Sequence, residues 1–255
     1  MNNIKLLHGD CLERLSELEE NSVDLIVADM PYGTTNCKWD SLLDLDVLWP
    51  LLSRVAKPNA AIALFAQTPF DKALAMSNIK DFRYEWIWVK NTATNHLNAK
   101  RQPLKACEHI LVFYKKQPLY VPQKTKGHKL KKTIRRNDHS DCYGPQNGVT
   151  EYESTERYPQ NVIQFDTDRY KNNLHPTQKP VKLLEYLIKT YSKEGQTVLD
   201  FCMGSGSTGE AAVNLNRHFI GIEKDDHYFE VSTKRIHGCQ GLKGLSARHK
   251  IINQT

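Results

Sequence analysis

The sequence predicts an α/β protein built on a parallel sheet, with an inserted segment in its middle, and three observations carry that prediction. Short apolar runs alternate with stretches of helical periodicity at both ends of the chain, the signature of strand–helix–strand units. A glycine-rich turn, Leu199 to Gly209, lies between a strand-like run and a helical stretch. From Lys115 to Arg136 there are nine basic residues and no acidic one, and periodicity stays weak to about Asn173.

Taken in order, Ile4 to His8 reads as a strand, and Leu12, Leu15 and Leu18 follow it at helical spacing. Val23 to Ala28 is an apolar strand that ends in Asp29. Leu42 to Val55 reads as a helix stopping before Pro58, and Ala60 to Phe65 as the next strand. Tyr84 to Lys90 and Glu108 to Tyr114 are rich in aromatic and β-branched residues, as strands near a sheet edge are. Val181 to Tyr191 is helical, with Leu184, Leu187, Ile188 and Tyr191 on one face. Thr197 to Phe201 and Phe219 to Glu223 are strands flanking the glycine-rich turn and its helix.

Composition narrows the class. A chain of 255 residues with 40% hydrophobic and 25% charged residues is that of an ordinary globular protein, either one large domain or a domain with an insertion. No run approaches the roughly 20 apolar residues of a membrane span, and Met1 to Asp10 lacks the apolar stretch of a signal peptide, so a cytoplasmic location is expected. The six cysteines form no C-x-x-C pair, so neither a disulfide framework nor a metal site is expected. A net charge of +6 points weakly to a nucleic-acid partner. Its concentration points more strongly. Lys124, Lys126, Lys129, Lys131, Lys132, Arg135 and Arg136 are candidate nucleic-acid contacts, because a one-signed block beside aromatics suits phosphates and bases. A solvated loop that binds nothing is the rival reading of the same run.

The glycine turn places Gly204, Gly206 and Gly209 in a G-x-G-x-x-G pattern after a strand and before a helix. Glycine lets the backbone come close to a ligand, and the helix start offers unpaired N–H groups. Glu223 ends the next strand, at the separation from which an acid takes ribose hydroxyls. The pattern alone fits a nicotinamide cofactor as well as another nucleoside. Asp200 favours the second: a carboxylate at the strand end sits badly against a pyrophosphate and well against the ammonium of S-adenosylmethionine.

Asp29-Met30-Pro31-Tyr32-Gly33 closes the strand Val23 to Ala28, and ligands of parallel sheets bind beyond the carboxyl ends of strands. The exocyclic amine of a base is a poor nucleophile because its lone pair is delocalised into the ring. Two acceptors on its hydrogens draw the nitrogen toward tetrahedral geometry. Asp29 supplies one and the carbonyl of Met30 the other, Pro31 stiffens the backbone, and Tyr32 offers a face to an extruded base.

These residues resemble the DNA amino-methyltransferases of the β group, of bacterial or phage type. Their catalytic signature is D/N/S-P-P-Y/F/W and their cofactor signature is F-x-G-x-G. Phe201-Cys202-Met203-Gly204-Ser205-Gly206 is similar to the latter with one extra residue before the first glycine, and Thr208 follows it. His175-Pro176-Thr177-Gln178-Lys179-Pro180 resembles the H-P-T-x-K-P element, which implies contacts of His175, Thr177 and Lys179 with the methionine end of the cofactor. Gly9-Asp10-Cys11 resembles the G-D-C/S turn, whose Asp binds the cofactor's adenine amine. Met30 stands where the family usually has proline.

The resemblance implies a Rossmann-like methyltransferase sheet, circularly permuted, with an inserted target-recognition region. Residues 1–114 would form the catalytic half, 115–173 the insertion and 174–255 the cofactor half. It implies a site on double-stranded DNA, S-adenosylmethionine as methyl donor and no metal, and it is compatible with a homodimer. Adenine N6 is expected over cytosine N4 because cytosine-specific members more often carry Ser at the position of Asp29. A nicotinamide dehydrogenase on the same glycine turn is the rival of another class.

Overall fold

The structure is a computed structural model that describes residues 2–33, 42–135, 139–140, 144–145, 150–167 and 178–252, the side chains of 135, 139, 140, 144, 145, 150 and 241–252 excepted. The chain divides into two compact units, Met1–Val121 with Asn161–Thr255, and Pro122–Gln160.

The first unit carries strands β1 (Ile4–His8), β2 (Val23–Ala28), β3 (Ala56–Ala66), β4 (Phe82–Thr94) and β5 (Lys105–Phe113), with helices α1 (Cys11–Ser16), α2 (Leu45–Val55) and α3 (Phe70–Ser77) between them. The second unit contributes β6 (Lys131–Arg135), β7 (His139–Ser140), β8 (Gly144–Pro145) and β9 (Thr150–Ser154). The chain then returns to the first unit with β10 (Val162–Phe165), α4 (Val181–Tyr191), β11 (Thr197–Asp200), α5 (Ser207–Asn214), β12 (His218–Glu223) and α6 (Asp226–Ile252).

Eight strands form one sheet in the order β1-β12-β11-β2-β3-β5-β4-β10. All neighbours are parallel except the two pairs made by β5. From β2 the chain moves outward to β3, and from β11 it moves the other way to β12, so strand order reverses between β11 and β2. That reversal is where a parallel sheet opens a crevice for ligands. This is the permuted Rossmann-like sheet the motifs imply: the glycine-turn strand comes late in sequence and sits at the centre of the sheet.

The central strands read as continuous apolar runs because both faces are covered. Along β2, Ile26 and Ala28 join one core layer with Leu15, Leu48, Leu52 and Phe201. Leu25 and Val27 join the other with Leu183, Leu187, Val213, Phe219 and Ile236. Helix α2 begins later than its apolar pattern, because Asp44 caps it through the amides of Asp46 and Val47. Pro50 lies inside α2 and forfeits one backbone bond, offset by burial of Leu48, Trp49, Leu52 and Val55.

Helices α3 and α6 and strands β6 to β10 carry no clear sequence signal. Helix α3 is short, and β10 lies within the segment 115–173 yet pairs with β4 as the edge of the main sheet. Only Ile163 and Phe165 of β10 face the core, so its pattern is brief. In the second unit β6 pairs antiparallel with β9, setting Lys132 opposite Glu153 and Ile134 opposite Glu151. Residues 131–134 are all exposed, so no apolar alternation marks the strand.

Candidate active site

Four adjacent parallel strands, β1, β12, β11 and β2, carry an acidic residue at or within two residues of their carboxyl ends: Asp10, Glu223, Asp200 and Asp29. Neighbouring strands lie about 4.8 Å apart, so this row spans about 14 Å along the carboxyl edge of the sheet. Asp10 caps α1 by accepting from the Leu12 amide at 3.0 Å, and its other oxygen meets Lys224 at 3.1 Å. Burial would raise its carboxyl, but Lys224 and the amides of Leu12 and Glu13 outweigh that and hold it below the ordinary range. Glu223 accepts the amides of Gly204 (2.8 Å), Lys224 (2.9 Å) and Asp225 (2.8 Å), tying the ends of β12 and β11 together.

Asp200 is different. It is buried and pushed up to about 7, first by loss of solvent and then by the charges of Asp29 and Glu223; bonds from Thr208 and the Cys202 amide only partly oppose this. It pairs with no cation among the described residues. A buried carboxylate facing two others is a site for a positive ligand group. The ammonium of S-adenosylmethionine matches that need, and the residues present therefore fit this molecule.

The glycine turn has the shape such a ligand requires. Gly204 adopts φ +50° with open space where a Cβ would stand, and Gly206 adopts φ +80° as it starts α5. Arg235 of α6 clamps the turn from behind, reaching Ser207 Oγ at 3.0 Å, Ser205 Oγ and carbonyl at 3.3 Å and Gln178 at 3.2 Å. Ser205 and Thr208 are buried in this turn. Phe201 is 1% exposed and lies wholly in the core, so its contact with the turn is packing from below. The thiols of Cys11, after β1, and Cys202, after β11, influence each other: their interaction holds Cys11 below the usual thiol range and, with burial, pushes Cys202 above it.

The turn after β2 is held by a chain of charges. Tyr32 donates to Asp29 Oδ1 at 2.5 Å and stacks on Phe70 at 5.5 Å between centroids. Lys179 donates to Asp29 Oδ2 at 2.5 Å and lies 3.3 Å from Glu108, which accepts from Lys90 at 3.0 Å. Burial alone would pull the Lys179 ammonium down, but Asp29 and Glu108 outweigh it, so the group stays charged. Burial would likewise raise Glu108, and Lys179 and Lys90 together hold it below the carboxylate range. Met30 is 2% exposed in the core beneath Asp29, and Pro31 is half-buried. No motif marks Lys90 and Glu108, although two charged residues inside apolar strands are a signal that each needs a partner.

Among the other candidates, His175, Thr177 and Arg136 lie outside the described residues, as does the side chain of Arg135. In the second unit Lys124 and Lys126 approach Glu156 at 3.5 and 3.9 Å, and Lys132 meets Glu153 at 3.0 Å. Lys124 also covers the Tyr158 ring at 4.6 Å, while Lys129 and Lys131 are exposed. No described helix is long and apolar enough to cross a membrane.

The permuted sheet, its acidic carboxyl edge and the Asp-Met-Pro-Tyr turn at the switch point define a nucleoside-dependent methyltransferase. The chain belongs to the DNA methylase family N6_N4_Mtase, whose family model matches residues 23–234, and is an S-adenosylmethionine-dependent DNA methyltransferase. It is 26% identical to the Type II methyltransferase M2.MboI of Moraxella bovis over 99% of this chain and 94% of that protein. It is 28% identical to the DNA adenine methyltransferase YhdJ of Escherichia coli K12, over 91% of this chain and 82% of that one. The crystal structure of the M1.HpyAVI–SAM complex superposes with a TM-score of 0.61 at 25% identity, covering 91% of this chain and 98% of that one. Family membership removes the dehydrogenase reading.

Proposed function

We propose that this chain methylates N6 of adenine in double-stranded DNA, with Asp29 and the Met30 carbonyl as the acceptors that prepare the amine. The observation that carries this reading is the position of Asp29, at the end of β2 beside β11, where strand order reverses and the acidic row begins. When bound, S-adenosylmethionine supplies an electrophilic methyl on sulfur. Asp200 meets its ammonium, Glu223 its ribose hydroxyls, and Asp10 with Cys11 its adenine. The Gly204–Gly206 turn, free of side chains at both glycines, lets the backbone come close to its methionine end, to which the family resemblance adds His175, Thr177 and Lys179.

Asp29 accepts a hydrogen bond from one N–H of the target amine and the Met30 carbonyl from the other, so the nitrogen lone pair turns toward the methyl group. As the N–C bond forms the S–C bond breaks, sulfur leaves as a neutral thioether, and Asp29 is placed to receive the one proton the nitrogen sheds. Lys179 fixes Asp29 while this happens, itself held by Glu108 and so by Lys90. Basic residues of Pro122–Gln160 hold the duplex through its phosphates. An aspartate at this position favours adenine over cytosine, and YhdJ, named as an adenine methyltransferase, is a relative along most of the chain. Nuclease digestion and mass spectrometry of DNA modified by the purified chain decide the base. N6-methyladenine is the expected product; N4-methylcytosine alone would overturn the adenine reading and leave the family in place.

A further inference from the structure

We propose that the turn between β4 and β5, residues 95–104, is a DNA wedge: Leu97 enters the base stack where the target base leaves it, and Lys100 and Arg101 hold the neighbouring phosphates. The inference rests on DNA methylation by this chain and is independent of which base is modified.

Leu97 is 101% exposed, the most open of the large apolar side chains described. A single exposed leucine is ordinary on a slack loop, but this turn is ordered. The amides of Asn98 and Ala99 donate to the carbonyls of Asn95 and His96, and those of Arg101 and Gln102 both donate to Asn98. Asn98 Nδ2 also reaches Oδ1 of Asn95 at 2.7 Å, and Asn95 itself lies in the left-handed region at φ 75°. Asparagine tolerates that conformation better than most residues, and it turns the chain sharply enough to set Leu97 at the tip. A hydrogen-bonded turn that presents an aliphatic side chain to water forgoes burial that would stabilise it.

The turn also stands in the right place. β4 is antiparallel to β5, β5 to β3, and β3 is parallel to β2, so the carboxyl end of β4 lies at the same end of the sheet as Asp29. Both stem strands reach the charge chain of the site, Lys90 from β4 and Glu108 from β5, and Glu108 meets the same Lys179 that holds Asp29. From Lys90 to Cys107 the sequence has Lys90, Lys100, Arg101 and Lys105 and no acidic residue. Lys100 and Arg101 are exposed. An aliphatic tip followed by two exposed cations, at the same end of the sheet as the catalytic turn, suits a duplex whose stack must be opened. An apolar side chain placed between base steps offsets the stacking that unstacking removes, and cations on the flanking phosphates keep it in register.

The test uses a duplex bearing a site mapped from DNA that the chain has modified, and the same duplex with an abasic position opposite the target base. Single-turnover methylation by Leu97→Ala should fall about tenfold on the matched duplex, where the base must be unstacked. On the abasic duplex the target base is already loosened, and the variant should come within about twofold of wild type. Leu97→Phe should restore the matched rate, and an unchanged melting temperature is expected because Leu97 contributes nothing to the core. Lys100→Gln with Arg101→Gln should lower the log–log salt slope of binding by about 0.9 for each phosphate no longer neutralised. Equal rates for Leu97→Ala and wild type on the matched duplex would overturn the wedge, and so would an equal loss on both duplexes. A change of oligomeric state in Leu97→Ala would overturn it too, by making the tip an interface between copies. Absence of methylation by wild type on any DNA would instead remove the function beneath it.

Discussion

Asp200 is the residue whose environment says most about the ligand. Its carboxyl, raised to about 7 in the fold against 3.8 ordinarily, holds a proton that the unfolded chain has already lost in the window between those values. For this group alone, stability is complete below the unfolded value and is lost as pH rises toward 7. A bound ammonium favours the ionised form and expels the proton. Affinity for S-adenosylmethionine should therefore rise from about pH 5 to about pH 7, with proton release readable by calorimetry in two buffers of different ionisation heat. Asp200→Asn should abolish both effects; a wild type that releases no proton would detach Asp200 from the ammonium. Asp29 and Met30 separate in another way. Asp29→Ala should slow single-turnover transfer by about 10²–10³-fold while cofactor affinity changes little. Met30→Pro keeps the carbonyl, so its transfer rate should survive, but the buried Met30 side chain is core. Its loss should cost about 2 kcal/mol, visible as a lower melting temperature. A stable Met30→Pro variant as inactive as Asp29→Ala would give the side chain or amide of Met30 a role beyond its carbonyl.

Among the elements, the β4–β5 pair and the segment entering α4 are joined by Lys90, Glu108 and Lys179, all at most 9% exposed at the side chain. Burying three charges is tolerable only while each faces an opposite one. Glu108→Gln leaves Lys90 and Lys179 without their shared carboxylate, and should cost about 3 kcal/mol in denaturant unfolding. Replacing an exposed glutamate such as Glu153 should change stability by less than about 1 kcal/mol. Equal effects of the two variants would show that the buried chain is not under electrostatic constraint. The strands themselves were readable where both faces are apolar, as in β2, β11 and β12. Helix α3, β10 and β6 were not, because each is short or offers the core only one or two residues.

For the molecule as a whole, charge is distributed unevenly. The unit Pro122–Gln160 contains eight basic and five acidic residues, so half of the chain's net +6 lies in it. Its exposed pairs, Lys132 with Glu153 and Lys124 with Glu156, are weak and can yield to phosphate. Neutralising Lys129, Lys131, Lys132, Arg135 and Arg136 together should weaken duplex binding and lower the log–log salt slope by about 0.9 per phosphate released. An unchanged slope would make the run a solvated surface.

Local chemistry decided much by itself. The glycine pattern, the Asp-Met-Pro-Tyr turn and the strand–helix alternation are each confined to a few neighbouring residues, so the class of fold and the methyltransferase family were readable from the chain. What only the tertiary structure decided are relations across the sheet. That Asp10, Glu223, Asp200 and Asp29 form one row follows from the pairing order β1-β12-β11-β2, in which two strands from each end of the sequence interleave. That Lys90 and Glu108 serve the turn at Asp29 depends on Lys179, 150 positions away from Asp29 along the chain. Burial then gives these meetings their consequence, since a charge matters most where water cannot screen it.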